Sequence, residues 1–96
     1  MQKISKQPAF ELGQIVVTPG ALAAPKKAGQ QPGEFLMGHV NREWGDLDEE
    51  DRKENDYCLE HGFRLLSAYK TNAGDRLWII TEADRSVTTL LLSDEY

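Results

Sequence analysis

From Phe63 onward, apolar and polar residues alternate with a period of two, which is the pattern of β-strands that bury one face. Three such segments, "FRLLSAYKT", "RLWIIT" and "VTTLLL", are separated by the short polar segments "NAGD" and "EADRS". Connections this short join antiparallel neighbours in hairpins. The pattern therefore predicts a three-stranded antiparallel meander in the second half of the chain.

The segment before the meander predicts a short strand and a first helix. "FELGQIVVT" ends in an apolar, β-branched run that favours an extended strand. Thr18 and Pro19 are typical of a helix start, because the threonine hydroxyl can accept from a first-turn amide and proline lacks only an amide that this turn leaves unpaired. Pro25 also lacks its amide, so we expect the first helix to end or kink there.

A second helix is predicted from Pro32, with an apolar face formed by Phe35, Leu36, His39 and Val40. A third is predicted from Asp48, whose carboxylate can cap the first turn, to His61, where Gly62 favours termination. The apolar face of this third helix is thin and comes chiefly from residues 57–59. We therefore expect it to pack on the surface of the sheet.

Together these elements predict an α+β fold, with a short N-terminal strand and two to three short helices packed on one face of the C-terminal three-stranded antiparallel β-meander. We expect one domain over residues 10–96 and a flexible tail over residues 1–9. Both faces of the last two strands carry apolar residues, while the helices can cover only one face. The first group is Trp78, Ile80, Leu90 and Leu92, and the second is Leu77, Ile79, Val87 and Leu91. The face without helices requires shelter, which predicts a homodimer formed through the sheet.

Composition and charge narrow the class of protein. No apolar run approaches the ~20 residues that cross a bilayer, and the opening "MQKISKQPAF" lacks an apolar core like that of a signal peptide. The single cysteine, Cys58, cannot form an internal disulfide, so we expect a cytoplasmic protein without membrane contact. The net charge is −5, and the 11 basic residues are scattered without interleaved aromatic residues. This distribution disfavours direct binding of DNA or RNA.

The acidic stretch "GDLDEEDRKEND" does not fit a calcium-binding loop. If Asp46 is taken as position 1, the required glycine and glutamate positions hold Asp51 and Tyr57. The two histidines, His39 and His61, belong to no zinc motif. We therefore expect neither a metal nor a cofactor.

Cys58 and His61 lie one helical turn apart, so a thiol and an imidazole could meet there. A cysteine in the middle of a helix is more often an inert buried side chain. No Gly-rich phosphate-binding loop is present, because the glycines are dispersed. We assign no catalytic residue.

The polar segment "TEADRS" between the last two strands has two interpretations. As a turn, it would use Asp84 or Ser86 to bind backbone amides, while Arg85 projects into water. As a recognition site, the same residues would meet an anionic group or a partner carboxylate through Arg85. The candidate partner-binding residues are Glu82, Asp84, Arg85, Ser86 and the more distant Trp44.

Several sequence blocks resemble a small family of bacterial proteins encoded on plasmids, integrative elements and similar mobile DNA. The blocks span residues 10–96 and are "FELGQIVVTPGAL", "PGEFLMGHV", "WGDLDEEDRKEND", "GFRLLSAYKT" and "LWIITEADRSVTTLLL". Some members carry the label of a type I restriction subunit M. Methyl transfer does not follow from that label here, because this chain lacks a Gly-rich cofactor loop and an Asn-Pro-Pro-aromatic motif. The resemblance implies a mobile-DNA context and supplies no catalytic residues.

We therefore expect a noncatalytic accessory protein of mobile DNA that acts through protein–protein interaction. Its acidity leaves a second hypothesis open, in which it inhibits a host restriction or CRISPR complex by occupying a basic groove. A third hypothesis places a small-molecule or nucleotide-processing site near His39, Trp44 and the "EADRS" turn.

Overall fold

A computed structural model describes residues 9–96, which form three helices and a four-stranded sheet. In chain order the elements are β1 (Gln14–Val17), α1 (Pro19–Lys27), α2 (Pro32–Val40), α3 (Glu49–His61), β2 (Leu65–Lys70), β3 (Arg76–Thr81), β4 (Val87–Leu92) and a 3-10 turn (Ser93–Glu95). The predicted α+β class is confirmed. None of the helices within residues 9–96 combines the length and the apolar content needed to cross a membrane.

The predicted flexible tail, residues 1–9, lies outside the described residues except for its last member. The amide of Ala9 donates to the carbonyl of Val40 at 2.8 Å, which fixes the start of the described chain beside the end of α2.

The strand order in the sheet is β1-β4-β3-β2. The last three strands form the predicted antiparallel meander. The predicted N-terminal strand is also present as β1, but it joins the meander as a fourth strand, parallel to β4, with Gln14 opposite Val87 and Val17 opposite Leu90. Parallel neighbours require a long crossover, and here it contains all three helices and two strands. Alternation along the chain identifies a strand but does not identify its partner.

A glycine lets β1 begin close against β4. Gly13 has φ +65°, and a Cβ at this position would lie 2.3 Å from the carbonyl oxygen of Ser86. The next amide, that of Gln14, donates to the same oxygen at 2.9 Å. Any side chain at residue 13 would therefore push the two strands apart at the "EADRS" turn.

The predicted helix starts are confirmed by their hydrogen bonds. Thr18 Oγ1 accepts from the Ala21 amide at 3.1 Å, and Asp48 Oδ1 accepts from the Asp51 amide at 2.8 Å. Gly62, with φ +77°, follows α3 in the left-handed conformation that ends a helix.

Of the two outcomes expected at Pro25, an end or a kink, the end is wrong, because the helix continues to Lys27. Pro25 is fully buried, and its carbonyl accepts from the amides of Ala28 at 3.0 Å and Gln30 at 2.8 Å. Burial of the ring and these two hydrogen bonds offset the one helical bond that proline cannot make.

Helices α1 and α2 cover one face of the sheet, which we call the inner face. Its strand residues are Ile15, Val17, Leu65, Ser67, Tyr69, Leu77, Ile79, Thr81, Thr88, Leu90 and Leu92. The core cluster joins Ala21 of α1 and Phe35 of α2 to Leu77, Ile79 and Leu90 of this face.

The opposite side of the sheet is the outer face. Its residues are Gln14, Val16, Leu66, Ala68, Lys70, Arg76, Trp78, Ile80, Val87, Thr89 and Leu91. The predicted grouping of Leu90 and Leu92 with Trp78 is wrong, because the register pairs Leu92 with Leu77 and Leu90 with Ile79. The length of the turn between β3 and β4 sets this register, and residue parity alone does not reveal it.

Helix α3 lies along the edge strand β2 and is held there by a polar side chain. Asn55 Nδ2 donates to the Leu66 carbonyl, and Asn55 Oδ1 accepts from the Leu66 amide at 3.1 Å. Asn55 is buried, whereas the predicted contact residue Tyr57 is 53% exposed. The predicted apolar face of residues 57–59 is thus only partly buried, with Cys58 and Leu59 half-buried and Tyr57 exposed. The side-chain amide of Asn55 instead pairs with the Leu66 carbonyl and amide, which the edge strand β2 would otherwise leave unpaired.

Candidate interaction surface

The turn between β3 and β4 gathers four of the five candidate residues. Asp84 Oδ1 accepts from the amide of Ser86 at 3.0 Å and from its hydroxyl at 2.6 Å. These bonds lower the pKa of the Asp84 carboxyl, the hydroxyl bond contributing most. The predicted bonding of turn amides by Asp84 is confirmed. Glu82, Asp84 and Ser86 are exposed to solvent.

Arg85 does not project into water, contrary to the sequence-based turn interpretation. Its Nη1 atom donates to the carbonyls of Phe63 at 2.8 Å, Glu82 at 3.1 Å and Ala83 at 3.2 Å. The guanidinium carbon lies 5.7 Å from the centroid of the Phe10 ring. Arg85 is half-buried and has φ +61°, which is uncommon for a residue other than glycine. Its side chain fastens the turn to the chain that enters β2.

Arg85→Ala is expected to lower the free energy of unfolding by about 1–2 kcal/mol, because three backbone carbonyls lose a charged donor. Urea denaturation at pH 7 measures this change. Arg85→Lys is the matched control, since it keeps the charge but cannot reproduce the planar fork of donors. Its free energy of unfolding should lie between those of the wild type and Arg85→Ala. An alanine variant as stable as the wild type would contradict the fastening role of Arg85.

Trp44 is a core residue, with 3% of its surface exposed. Its ring stacks with Phe10 at 6.2 Å and meets the edge of His39 at 5.7 Å. The indole Nε1 donates to Asp56 Oδ1 at 3.1 Å, which ties α3 to this cluster. The fold thus connects Arg85 to Trp44 through Phe10, but it leaves Trp44 almost no surface for a partner.

A chain of hydrogen bonds crosses the inner face beneath these rings. His39 Nδ1 contacts the Ser67 hydroxyl, and His39 Nε2 contacts Thr81 Oγ1 at 2.9 Å. Thr81 Oγ1 lies 2.8 Å from Thr88 Oγ1, which donates to the Leu12 carbonyl at 2.7 Å. His39, Ser67, Thr81 and Thr88 are all fully buried.

The final acceptor fixes the direction of the hydrogen bonds between His39 and Leu12. Leu12 offers only a carbonyl oxygen, so the Thr88 hydroxyl must donate to it, and Thr81 must in turn donate to Thr88. Thr81 then accepts from His39, which places an imidazole proton on Nε2. In the neutral imidazole, Nδ1 then accepts from Ser67. Each polar atom in the chain has a partner.

The environment of His39 opposes its protonation. Burial, followed by the positive charge of Arg85, lowers the pKa of His39 from 6.5 to about 4. The contact between Ser67 and His39 pairs a hydroxyl with a base, as nucleophilic catalysis requires. A substrate cannot reach either group without opening the sheet–helix packing, since both are 0% exposed. The arrangement is that of a structural network.

The remaining candidate chemistry is not assembled into a site. Burial, followed by the negative charge of Glu54, raises the pKa of the Cys58 thiol, which disfavours the reactive thiolate. His61 packs against the Tyr57 ring at 4.2 Å. Within residues 9–96, no group of three or more His, Cys, Asp or Glu side chains is arranged to hold a metal ion.

The outer face is the surface that the two covering helices leave open. The core cluster built by α1 and α2 contains none of its residues. Ile80 and Leu91 are buried, whereas Trp78, Leu66 and Val87 are half-buried and Val16 is 41% exposed. This leaves an apolar platform at the centre of the outer face.

A cleft of about 250 Å³ lies at one side of this platform. The residues that line it are Arg64, Leu65, Leu66, Trp78, Ile80 and Tyr96. The Tyr96 ring stands 5.4 Å from the Trp78 ring, and Arg64 Nη2 donates to the Tyr96 hydroxyl at 3.2 Å. Tyr96 is 70% exposed, so its ring contributes apolar surface at the rim of the platform.

The strands carry a charge pattern that differs from that of the whole protein. The four strands contain no acidic residue, although the chain has 16. Lys70 and Arg76 are direct cross-strand partners on the outer face. The basic residues are scattered along the sequence, which did not predict this pair. The hairpin sequence "AYKTNAGDRLW" could have predicted it, because antiparallel pairing of its two strands sets the lysine opposite the arginine.

Comparison of this chain with protein-family models, with curated proteins and with solved structures finds no match.

Proposed function

We propose that this protein is a noncatalytic cytoplasmic accessory protein of mobile DNA that acts through protein–protein contacts, and that its outer face docks onto a second copy of the chain. The observation that carries the proposal is the apolar outer face that α1 and α2 leave uncovered, where Trp78, Leu66 and Val87 are half-buried and Val16 is 41% exposed. The mobile-DNA context is supported by the resemblance of the sequence blocks, and the cytoplasmic location by the single cysteine.

The dimensions of the platform suit a modest dimer interface. Three strands of six residues and one of four, about 4.8 Å apart and at about 3.3 Å per residue, give a surface of roughly 20 by 20 Å. Two such faces amount to roughly 800 Å² in total, which is the size of a weak or transient contact. Two sheets packed face to face bury apolar side chains from both copies in one layer about 10 Å thick. We therefore expect a reversible homodimer rather than an obligate one.

The burial and the hydrogen bonds of the polar residues support the proposal of a noncatalytic protein. His39 and Ser67 are sealed in the core, and the Cys58 thiol is held in its protonated form. The carboxylates of the β3–β4 turn serve the turn itself or face solvent. A host protein complex could add to the self-associated form as a further partner, but the outer face is the docking surface to test first.

Trp78→Ala is expected to convert the dimer to a monomer while the fold is retained, because the indole lies at the centre of the platform and outside the helix-covered core. Sedimentation equilibrium of the wild type should give twice the chain mass of 10.8 kDa, and the variant should give the chain mass itself. Met37→Ala is the matched control, since Met37 is 63% exposed on α2, away from the outer face. A wild type that stays monomeric at hundreds of micromolar would overturn the proposed self-association.

The acidic surface of α3 favours a second candidate function, inhibition of a host restriction or CRISPR complex. The exposed carboxylates of this helix are Glu49, Glu50, Asp51, Glu54, Asp56 and Glu60. Exposed carboxylates of this kind can mimic nucleic-acid phosphates in a basic groove, with strong dependence on salt. Titration of a purified complex with the protein at 50 and 300 mM salt tests this candidate. Binding that is absent, or that is unaffected by salt, would exclude it.

A further inference from the structure

The outer-face residues of β3 form a charged pattern with opposite ends. In order along the strand they are Arg76, Trp78 and Ile80. The next residue of the same parity is Glu82, whose amide donates to the Val87 carbonyl at 3.0 Å, so the strand pairing continues through it. Glu82 therefore stays on the outer face. The strand presents a cation, an aromatic ring, an aliphatic side chain and an anion in sequence.

Neither charge at the ends of this pattern is used within the described chain. Arg76 and Glu82 are both exposed, and neither takes part in an ion pair or a side-chain hydrogen bond within residues 9–96. Arg85, in contrast, is fully engaged by backbone carbonyls. The two ends of β3 thus retain complementary charges about 20 Å apart, as six residues of extended strand require.

This pattern is complementary to itself under only one direction of two-fold rotation. A two-fold axis that lies between the facing sheets, perpendicular to β3 at the level of Ile79, brings Arg76 against the partner's Glu82 and Trp78 against the partner's Ile80. An axis parallel to β3 instead brings Arg76 against its own copy, with Lys70 beside it. Like charges at an interface are costly, so the charges select the perpendicular axis.

We propose that two copies pack outer face to outer face about the perpendicular axis, with two symmetric ion pairs between Arg76 and the partner's Glu82. This inference rests on the proposed function, because it specifies the geometry of that dimer. The same rotation sets Lys70 opposite the partner's Arg64, so an end with two cations meets an end where Arg64 and Glu82 cancel, whereas the parallel axis would set two cations against two. Arg64 adjoins Glu82 but directs its guanidinium to the Tyr96 hydroxyl, which leaves the Glu82 carboxylate available.

Charge reversal tests the geometry. In Arg76→Glu, each ion pair becomes a pair of glutamates, and in Glu82→Arg each becomes a pair of arginines. Sedimentation equilibrium at 50 mM salt should show at least a tenfold higher dissociation constant for each single variant than for the wild type. The double variant R76E/E82R restores opposite charges and should return to within threefold of the wild type.

Mixing the two single variants provides an independent arm. A heterodimer of Arg76→Glu with Glu82→Arg has one reversed and one native ion pair, both attractive, so the mixture should associate more tightly than either component alone. Because this rescue occurs between separate chains, it cannot come from repaired folding. Urea denaturation of each single variant at low protein concentration provides the check that the monomer fold is intact.

The outcomes separate this inference from the function on which it rests. A wild type that remains monomeric overturns both the proposed self-association and the Arg76–Glu82 geometry. A wild-type dimer with single variants that associate equally well keeps the self-association but overturns the Arg76–Glu82 geometry, as does a failure of the double variant or of the mixture to regain association. Weakening in both single variants with rescue in both arms establishes the geometry.

Discussion

His39→Ala is expected to lower the free energy of unfolding by about 4 kcal/mol, a larger loss than Arg85→Ala should cause. The change removes a fully buried ring that packs against Phe10 and Trp44. It also leaves the buried hydroxyls of Ser67 and Thr81 without their shared partner. A single domain of this size is stabilised by only about 5–15 kcal/mol, so the variant should be close to unfolded at 37 °C.

Equilibrium urea denaturation at 25 °C and pH 7 measures this loss. Ser67→Ala is the matched control, because it removes one donor at the end of the chain of hydrogen bonds and leaves the rings in place. It should cost about 1–2 kcal/mol. If His39→Ala were as mild as Ser67→Ala, the hydrogen-bonded chain would not be a main source of stability.

Acidification is expected to remove about 3 kcal/mol of stability through the same histidine, because its pKa is 6.5 in the unfolded chain and about 4 in the folded one. Between these two values the unfolded state binds more protons than the folded state, so stability falls as the pH falls. The contribution is complete above pH 6.5 and is lost progressively until about pH 4, where it levels off. A protonated His39 would need to donate from both ring nitrogens in a buried site beside Arg85, which is why the folded state resists the proton.

Urea denaturation at half-unit intervals between pH 7.5 and 4 follows this loss. The His39→Gln variant cannot titrate at this position, so the difference between its pH profile and that of the wild type isolates the histidine. Carboxyls with lowered pKa, such as Asp84 and Glu95, lose their contribution as the pH falls below the ordinary carboxyl range, and they act equally in both proteins. Parallel profiles from pH 7 to pH 4.5 would show that His39 does not resist protonation.

The buried polar network also explains why sequence analysis did not recognise the role of His39. The helical spacing correctly placed His39 on the apolar face of α2, and the alternation of β2 placed Ser67 on one face. His39 and Ser67 are 28 residues apart along the chain, and they meet only because α2 packs on the sheet. Periodicity gives the face of each element, while contacts between elements depend on how they pack.

The sequence by itself determined the local elements of this protein. Thr18, Asp48 and Gly62 set helix boundaries because their effects act within one turn of backbone. The period of two set the three hairpin strands because successive side chains point to opposite faces of a strand.

The tertiary structure alone decided the features that depend on distant residues. These are the parallel pairing of β1 with β4, the continuation of α1 through a buried proline, the attachment of α3 through Asn55, and the inward position of Trp44. The candidate surface belongs to this second group, because only the register of β2, β3 and β4 brings Lys70, Arg76, Trp78 and Leu91 to one face. Long-range pairing is a property of the whole packed chain, and no short window of sequence contains it.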